Sequence, residues 1–273
     1  MFQVSALMTV YCKESPEFLA ASIESVAQQT LLPKEFVIVK DGILGSALEA
    51  VIGRYEEKLT IVHVDLPENV GRGAASAIGL EYCANEFVAR VDSDDICLPE
   101  RFELQCRFLS DNPHIDVVGG ALAEFESDPK KVLFVRRPPC QGKELERFAR
   151  FRSPVNNQTS MFRRSAVMKA GNFHSLRDLE DYELWARMLV SGYRFYNLDE
   201  ILVLARAGTN MFQRRGGLQY LKNDFFLQMY FFKIGFIPIW TLIYKIIANS
   251  FVRVSPQIVR STIYSKFLRK PPA

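Results

Sequence analysis

The stretch Phe87-Val88-Ala89-Arg90-Val91-Asp92-Ser93-Asp94-Asp95 places three carboxylates directly behind an apolar run. The apolar run predicts a buried β-strand. Ligands of open parallel sheets bind beyond the carboxyl ends of the strands, so we expect Asp92, Asp94 and Asp95 to lie at a ligand site. Carboxylates this close disfavour each other's ionisation unless a cation neutralises them. An Mg²⁺ or Mn²⁺ ion that also holds a diphosphate fits, because these ions combine one or two carboxylates with phosphate oxygens.

Two other interpretations of this acidic cluster follow from the residues alone. A solvated acidic turn in front of the helix that starts near Pro99-Glu100 would have a similar sequence, and this alternative stays open. An EF-hand loop is excluded, because Ile96 and Cys97 stand where that loop requires an oxygen ligand and a glycine.

The order of strand and helix patterns around this stretch predicts the fold class. Strands are predicted at Val4 to Val10, Phe36 to Val39, Leu59 to Val64 and Phe87 to Val91, with helices at Ser15 to Gln29, 45–57 and Gly71 to Cys83 between them. This alternation predicts an α/β fold with a doubly wound, mainly parallel sheet. No G-x-G-x-x-G pattern follows the first strand, which argues against a dinucleotide-binding site.

Composition bounds the cellular setting. The chain has 273 residues, a formal charge of +3 and five scattered cysteines without a C-x-x-C pair. Such cysteines are typical of reduced thiols in a cytosolic protein rather than of a disulfide framework or a zinc site. The N-terminus shows no signal peptide pattern, so we expect a cytoplasmic protein.

The C-terminal segment differs from the rest in charge and in aromatic content. Seven basic residues and no acidic residue follow Asp224: Lys233, Lys245, Arg253, Arg260, Lys266, Arg269 and Lys270. Eight aromatic residues crowd the same region: Phe225, Phe226, Tyr230, Phe231, Phe232, Phe236, Trp240 and Tyr244. No apolar run reaches the roughly 20 residues that a membrane span needs. We expect helices that lie on an anionic membrane surface at the inner face of the plasma membrane, with a helical pair packed on the body or a dimer contact as alternatives.

Several short motifs, in order along the chain, carry a resemblance to a known family. They are Val4 to Tyr11, Ser25 to Thr30, Val37 to Gly42, Asn69-Val70-Gly71, and Asp92 to Asp95 with Pro99 to Phe102 behind them. Together they resemble glycosyltransferase family 2, which implies a GT-A fold and inverting sugar transfer from a nucleotide diphosphate donor. The resemblance covers about residues 3–217. It predicts a GT-A domain at 1–217, with a nucleotide-sugar half at 1–112 and an acceptor half at 113–217, and a helical tail at 218–273.

The resemblance also implies a catalytic base. Leu179 to Arg187 is similar to the Glu-Asp motif of the family, so Asp181 is expected to be the base and Glu180 its neighbour or an acceptor contact. In inverting transfer a base takes the proton of the acceptor hydroxyl. From the residues alone, two acids in the first turn of a helix could also be there because they stabilise the helix dipole.

Donor contacts are carried over by the same motifs. The expected nucleotide contacts are Thr9, Tyr11, Asp41, Arg72 and Asp92, and the expected metal ligands are Asp94 and Asp92. Lys40 stands where the family usually has a second acid beside Asp41. Arg214 and Arg215 lie where relatives have a loop over the donor, and they suit either a diphosphate clamp or a basic hinge.

Acceptor contacts are expected at Asn157, Gln158 and Trp185. Asn157 stands where bacterial cell-surface members often have a histidine, which leaves an amide for sugar recognition. The resemblance implies a UDP-sugar donor, a lipid-linked saccharide acceptor and Mn²⁺ or Mg²⁺, in O-antigen, capsule or exopolysaccharide assembly, with no nucleic-acid partner. A nucleotidyltransferase and a nucleotide-sugar-binding scaffold without activity are the alternatives.

Overall fold

The computed structural model of the chain describes residues 2–175, 179–207 and 218–254. The strands are β1 (Val4–Val10), β2 (Glu35–Lys40), β3 (Ile61–Asp65), β4 (Phe87–Asp92), β5 (Ile96–Cys97), β6 (Val117–Phe125), β7 (Phe134–Arg136), β8 (Met161–Arg163) and β9 (Phe195–Arg206). The helices are α1 (Pro16–Ala27), α2 (Ser46–Gly53), α3 (Arg72–Tyr82), α4 (Arg101–Asp111), α5 (Gly142–Ala149), α6 (Arg164–Lys169), α7 (Glu180–Val190), α8 (Leu218–Lys233) and α9 (Ile239–Val254), with a 3-10 turn at Asn157–Thr159.

Within the described residues the strands form one sheet in the order β3-β2-β1-β4-β8-β6-β9-β5, with β7 paired to β6. The first four strands are all parallel, β8 runs antiparallel to its two neighbours, and β9 is parallel to β6. The predicted α/β fold with a mainly parallel sheet is therefore confirmed. The register pairs Thr9 of β1 with Asp92 of β4 and with Val39 of β2, which brings three predicted site segments to one edge.

The sheet is covered on both faces, as the doubly wound pattern predicts. Alternate residues of β1 enter opposite cores because successive strand side chains point to opposite faces. Met8 packs in one core with α1, α2 and α4, whereas Leu7 packs in the other with α3, α5, α6 and α7. The site edge is thus framed by helices from both layers.

Helices α8 and α9 form a hairpin that packs on the body. A third cluster joins Leu227, Phe231, Phe236, Ile237 and Leu242 of this region to Ala149, Leu179 and Ala186 of the body. One side of the hairpin therefore packs on the body, as one of the alternatives for this segment predicted. No helix in the described ranges is both long and apolar enough to cross a bilayer.

Candidate active site

The predicted carboxylates lie at the carboxyl ends of β1 and β4. Asp92 ends β4, and Arg90 two residues earlier donates a hydrogen bond to its Oδ1 at 3.2 Å. Ser22 of α1 donates to the backbone oxygen of Asp92 at 2.8 Å. The Arg90 guanidinium is buried, so it fixes the Asp92 carboxylate at the site edge with little freedom.

Asp94 and Asp95 continue the acidic turn. Asp95 is buried, and its Oδ1 accepts a hydrogen bond from the backbone N of Arg206 at 2.8 Å. Burial raises the pKa of Asp95, and the neighbouring charges of Asp94 and Asp92 raise it further. The three carboxylates therefore interact electrostatically, as predicted.

The electrostatics of this turn fit a divalent cation, which would relieve the repulsion among the three carboxylates. Across the part of the chain that the structure describes, no group of three or more His, Cys, Asp or Glu side chains is arranged as a metal site. A cation at Asp92 and Asp94 would thus take its remaining ligands from phosphate oxygens and water, as Mg²⁺ does.

Asp41 organises the loop in front of α3. Its Oδ1 accepts from the backbone N of Val70 at 2.7 Å, and its Oδ2 accepts from Asn69 Nδ2 at 3.0 Å and from Gly71 N at 3.1 Å. A carboxylate has about four acceptor positions, so one remains for a nucleobase. The structure thus gives Asp41 a role in shaping the loop, and its contact to uracil remains a prediction.

Other predicted nucleotide contacts lie around the same edge. Thr9 is half-buried in β1, and Tyr11 is exposed just beyond the end of that strand. Lys40, which replaces the expected acid, forms ion pairs with Glu49 at 2.8 Å and with Asp65 at 3.1 Å. Its charge is therefore satisfied within the protein.

Arg72 connects the nucleotide half to the Glu-Asp motif. It begins α3, and its Nε forms an ion pair with Oε1 of Glu180 at the start of α7. Burial opposes the charged form of Arg72, but Glu180, Asp92 and Asp181 together raise its pKa. Because 45% of the Arg72 side chain is exposed, solvent weakens these interactions, yet the guanidinium remains close to all three carboxylates.

The approach of α3 to Glu180 depends on a glycine. A Cβ at Gly73 would lie 2.3 Å from the backbone oxygen of His174 and 3.0 Å from Cβ of Glu180. Real contacts of this kind are not that short, so a larger residue would separate the two helix ends. The Gly71-Arg72-Gly73 segment, too short to indicate a phosphate loop, therefore has a packing reason for its second glycine.

The two acids of the motif have different environments. Glu180 is 1% exposed, and burial raises its pKa while the Arg72 charge opposes that rise. Its Oε2 has no hydrogen-bond partner among the described residues. Asp181 is only half-buried, and its Oδ1 accepts a hydrogen bond from Tyr182 N at 2.7 Å. Asp181 is therefore the acid that a substrate can reach.

Sequence reasoning missed the group that fixes the chain before α7. Glu183 is fully buried and pairs with Arg187 one turn later at 2.9 Å. Arg187 also donates to the backbone oxygens of Ala170 and, at 2.7 Å, of Asn172. The i, i+4 spacing of Glu183 and Arg187 was a signal for the pair, but it could not show what else Arg187 binds.

Of the three predicted acceptor contacts, only Gln158 has part of its surface accessible. Asn157 is buried in the 3-10 turn with its Oδ1 unpartnered among the described residues, and Gln158 is half-buried. Trp185 is fully buried against Phe162, Phe173 and Phe195. The prediction of a direct acceptor contact for Trp185 is therefore wrong, because its ring belongs to the core.

Two further predictions concern basic residues. Arg214 and Arg215 lie outside the described residues, so their role as a diphosphate clamp stays a prediction. Lys245 was expected among the membrane-facing charges, but it is 5% exposed and donates to Arg150 O at 3.1 Å and to Tyr182 Oη at 3.3 Å. That expectation is wrong for Lys245, because its ammonium points into the protein.

Known proteins with related sequences identify the family of this chain. The profile of glycosyl transferase family 2 matches residues 5–179. The chain belongs to glycosyltransferase family 2. It is 38% identical over 267 residues to the amylovoran biosynthesis glycosyltransferase AmsE of Erwinia amylovora, covering 96% of this chain and 98% of that one. It is 33% identical over 266 residues to the UDP-Gal:alpha-D-GlcNAc-diphosphoundecaprenol beta-1,3-galactosyltransferase of Escherichia coli, covering 97% and 96% of the two chains.

The solved structures confirm the predicted GT-A type of fold for this family 2 member. The crystal structure of S. aureus TarS 1-349 in complex with UDP-GlcNAc superimposes with a TM-score of 0.69 at 20% identity. The match covers 97% of this chain and 76% of that one. It includes the described part of the C-terminal region as well as the sheet.

Proposed function

We propose that this family 2 enzyme transfers a hexose or N-acetylhexosamine, with inversion, from a UDP-sugar to a lipid-linked saccharide during cell-surface polysaccharide assembly. The observation that carries the proposal is the Arg72–Glu180 ion pair. Because Asp181 follows Glu180 directly, this pair holds the partly accessible Asp181 near the carboxylates at the strand ends. The names of the relatives support the substrate classes: one uses UDP-Gal and an undecaprenol-linked acceptor, and TarS was crystallised with UDP-GlcNAc.

Asp181 is the proposed base. In an in-line displacement, a carboxylate takes the proton of the acceptor hydroxyl as its oxygen attacks the anomeric carbon, while the diphosphate leaves from the opposite face. Asp181 suits this role because it is partly accessible and its carboxylate is oriented by Tyr182 N. Glu180 is less suited, since it is buried in its ion pair with Arg72.

The donor would lie along the carboxyl ends of β1 and β4. Tyr11 offers an exposed ring for stacking on the nucleobase, and Thr9 lies beside Asp92 in the strand register. Arg72, whose side chain is 45% exposed, is the proposed diphosphate contact in the described part of the chain. Asp92 and Asp94 would hold Mn²⁺ or Mg²⁺, which supplies positive charge to the leaving diphosphate.

The acceptor side of the proposal rests on Asn157 and Gln158. The unpartnered Oδ1 of Asn157 can accept a hydrogen bond from a sugar hydroxyl, which would satisfy a buried polar atom. Gln158 lies next to it with part of its surface accessible.

Membrane contact belongs to the same proposal and concerns the outer face of the hairpin. This face consists of nine exposed residues: Phe225, Phe226, Met229, Phe232, Ile239, Trp240, Ile243, Tyr244 and Ile247. Lys222 and Lys233 are exposed on α8, and Asp224, the last acidic residue of the chain, is buried. An apolar face edged by lysines and free of exposed acids suits the surface of an anionic leaflet, so we place the enzyme at the inner face of the plasma membrane.

A single assay separates the proposed function from its alternatives. The purified chain is incubated with Mn²⁺, a synthetic GlcNAc-diphosphoryl lipid and a panel of UDP-hexoses and UDP-N-acetylhexosamines. Sugar transfer with release of UDP supports the proposal. Formation of a nucleoside triphosphate from a UDP-sugar and added diphosphate would indicate a nucleotidyltransferase, and tight UDP-sugar binding without turnover would indicate a scaffold.

A further inference from the structure

We propose that the α8–α9 hairpin positions the catalytic base, with Lys245 and Tyr182 as positioning residues that orient Asp181. This inference rests on the proposed role of Asp181. It assigns a function in catalysis to a segment for which the sequence predicts membrane contact, packing on the body or a dimer contact.

Lys245 of α9 lies in a buried site with polar and aromatic neighbours. Its Nζ donates to Arg150 O and to Tyr182 Oη, and it lies 5.2 Å from the ring centre of Tyr182 and 5.6 Å from that of Phe231. Burial lowers the pKa of Lys245 to about 8, although the nearby charge of Asp224 opposes this effect. Burying an ammonium group costs desolvation free energy, and an apolar side chain could fill the same space without that cost. Lys245 is therefore a candidate for a specific polar contact.

The hairpin packs against the side chain of Tyr182. The Tyr182 ring packs edge-on against Phe231 at 4.8 Å and against Phe236 at 6.4 Å. Its hydroxyl donates to Ala149 O at 2.5 Å and accepts from Lys245. The ring is therefore held by packing on the hairpin side and by hydrogen bonds at its tip.

Tyr182 also contacts the proposed base, Asp181. The backbone N of Tyr182 donates to Oδ1 of Asp181, so the orientation of the carboxylate depends on the backbone at the start of α7, which the Tyr182 ring anchors against the hairpin. Leu179, two residues before Asp181, lies in the same apolar cluster as the hairpin. The hairpin thus holds the first turn of α7 on both sides of Asp181, whereas Asp92 is held by Arg90 of β4.

Displacement of the base should affect the rate of the chemical step and not the affinity for the donor. A base displaced by about 1 Å can lose as much as 100-fold in rate without any change in donor affinity. Loss of the Lys245–Tyr182 contact should therefore lower kcat and leave UDP binding unchanged.

The test compares two variants of the full-length chain with a control. Lys245→Met keeps the apolar stem and removes the ammonium, and Tyr182→Phe keeps the ring and removes the hydroxyl. Lys143→Met changes an exposed lysine of α5 and serves as the matched control. Measured are the Kd of UDP by calorimetry, kcat and donor KM with the UDP-sugar that the wild type uses, and amide exchange at Tyr182.

We expect kcat to fall at least about tenfold in both variants, with UDP affinity and donor KM within about twofold of wild type. Exchange at the Tyr182 amide should be faster, and the control should match wild type. Normal kcat in Tyr182→Phe, which retains the ring packing, would overturn the inference, as would equal losses of kcat and UDP affinity. Failure of the proposed function has a different signature, namely no transfer by the wild type with any UDP-sugar.

Discussion

Arg72 at the start of α3 and Glu180 at the start of α7 form an ion pair that joins two helix N-termini separated by more than 100 residues. Each helix end carries a partial positive charge, which favours the carboxylate and disfavours the guanidinium. The pair is therefore asymmetric: Glu180 gains from both helix ends, whereas Arg72 is held mainly by the surrounding carboxylates.

The ion pair predicts a stability change that depends on pH. Arg72→Ala leaves Glu180 buried without its counter-charge, and we expect a loss of about 2 kcal/mol in unfolding free energy at pH 7. Arg107→Ala, which breaks an exposed pair with Glu103, is the control and should cost less than about 1 kcal/mol.

The sign of this pH dependence follows from Glu180. Burial already raises its pKa above the ordinary value of 4.5, and loss of Arg72 should raise it further. The penalty for the charged form is complete above the folded pKa and shrinks as the pH falls from the folded pKa towards the unfolded pKa. Urea unfolding at pH 7 and pH 5 should therefore show a smaller cost of Arg72→Ala at pH 5. An equal cost at both values would contradict the buried-charge explanation.

The base assignment predicts a specific kinetic defect. Asp181→Asn retains the size of the side chain and its contact with Tyr182 N but removes the proton acceptor. Transfer should fall by about 10² to 10⁴, and UDP affinity measured by calorimetry should remain. Asp111→Asn, at an exposed position of α4, should behave as wild type. Near-normal transfer by Asp181→Asn would identify another base, and Glu180 would be tested next.

The metal proposal predicts a change in cation-dependent binding. Mn²⁺ should strengthen UDP binding to the wild type, because Asp92 and Asp94 would hold the cation and its charge would stabilise the diphosphate. In Asp94→Asn we expect this Mn²⁺ effect to shrink at least about tenfold, since a charged ligand is lost. Calorimetric titration of UDP with and without Mn²⁺ measures it directly. If Mn²⁺ has no effect on the wild type, Asp92 and Asp94 do not form a metal site.

The outer face of the hairpin predicts membrane binding that depends on apolar area. Trp240 is 75% exposed and Tyr244 lies one turn away on the same face. Burial of a large apolar side chain contributes about 1.5–3 kcal/mol, so Trp240→Ser with Tyr244→Ser should weaken binding to anionic vesicles at least about tenfold. Tyr82→Ser, at an exposed aromatic residue of α3, is the control.

Co-sedimentation with anionic and neutral vesicles at low and high salt provides the measurement. Binding to anionic vesicles should decrease with salt, because the charges of Lys222 and Lys233 are exposed and become screened. If the wild type binds neither vesicle but is a dimer that the double variant converts to a monomer, the outer face is a contact between two copies.

Local sequence patterns predicted the first half of the fold well. The expected strand Val4 to Val10 matches β1 residue for residue, and the acidic run after Phe87 does lie at a strand end. Strand alternation and helix caps depend on neighbours in sequence, so they can be recognised without knowledge of the fold.

Tertiary partners were not predictable in the same way. Nothing near Arg72 in sequence indicates Glu180, and a lysine in a basic segment does not show that it will be buried, as Lys245 is. Trp185 shares an apolar helix face with Met188, and this spacing was a signal for the core that the family motif outweighed. Periodicity indicates which side of a helix is apolar, but what that side meets depends on the whole chain.

The packing of the α8–α9 hairpin on the body has a consequence for any attempt to shorten the chain at the predicted boundary near residue 217. A fragment that ends before α8 would uncover Ala149, Leu179, Ala186 and the ring of Tyr182, all of which are covered by the hairpin. Removing residues 218–273 to obtain a smaller enzyme would therefore leave an exposed apolar surface beside Asp181. The composition of the chain changes near residue 217, but the apolar packing of the body continues into α8 and α9.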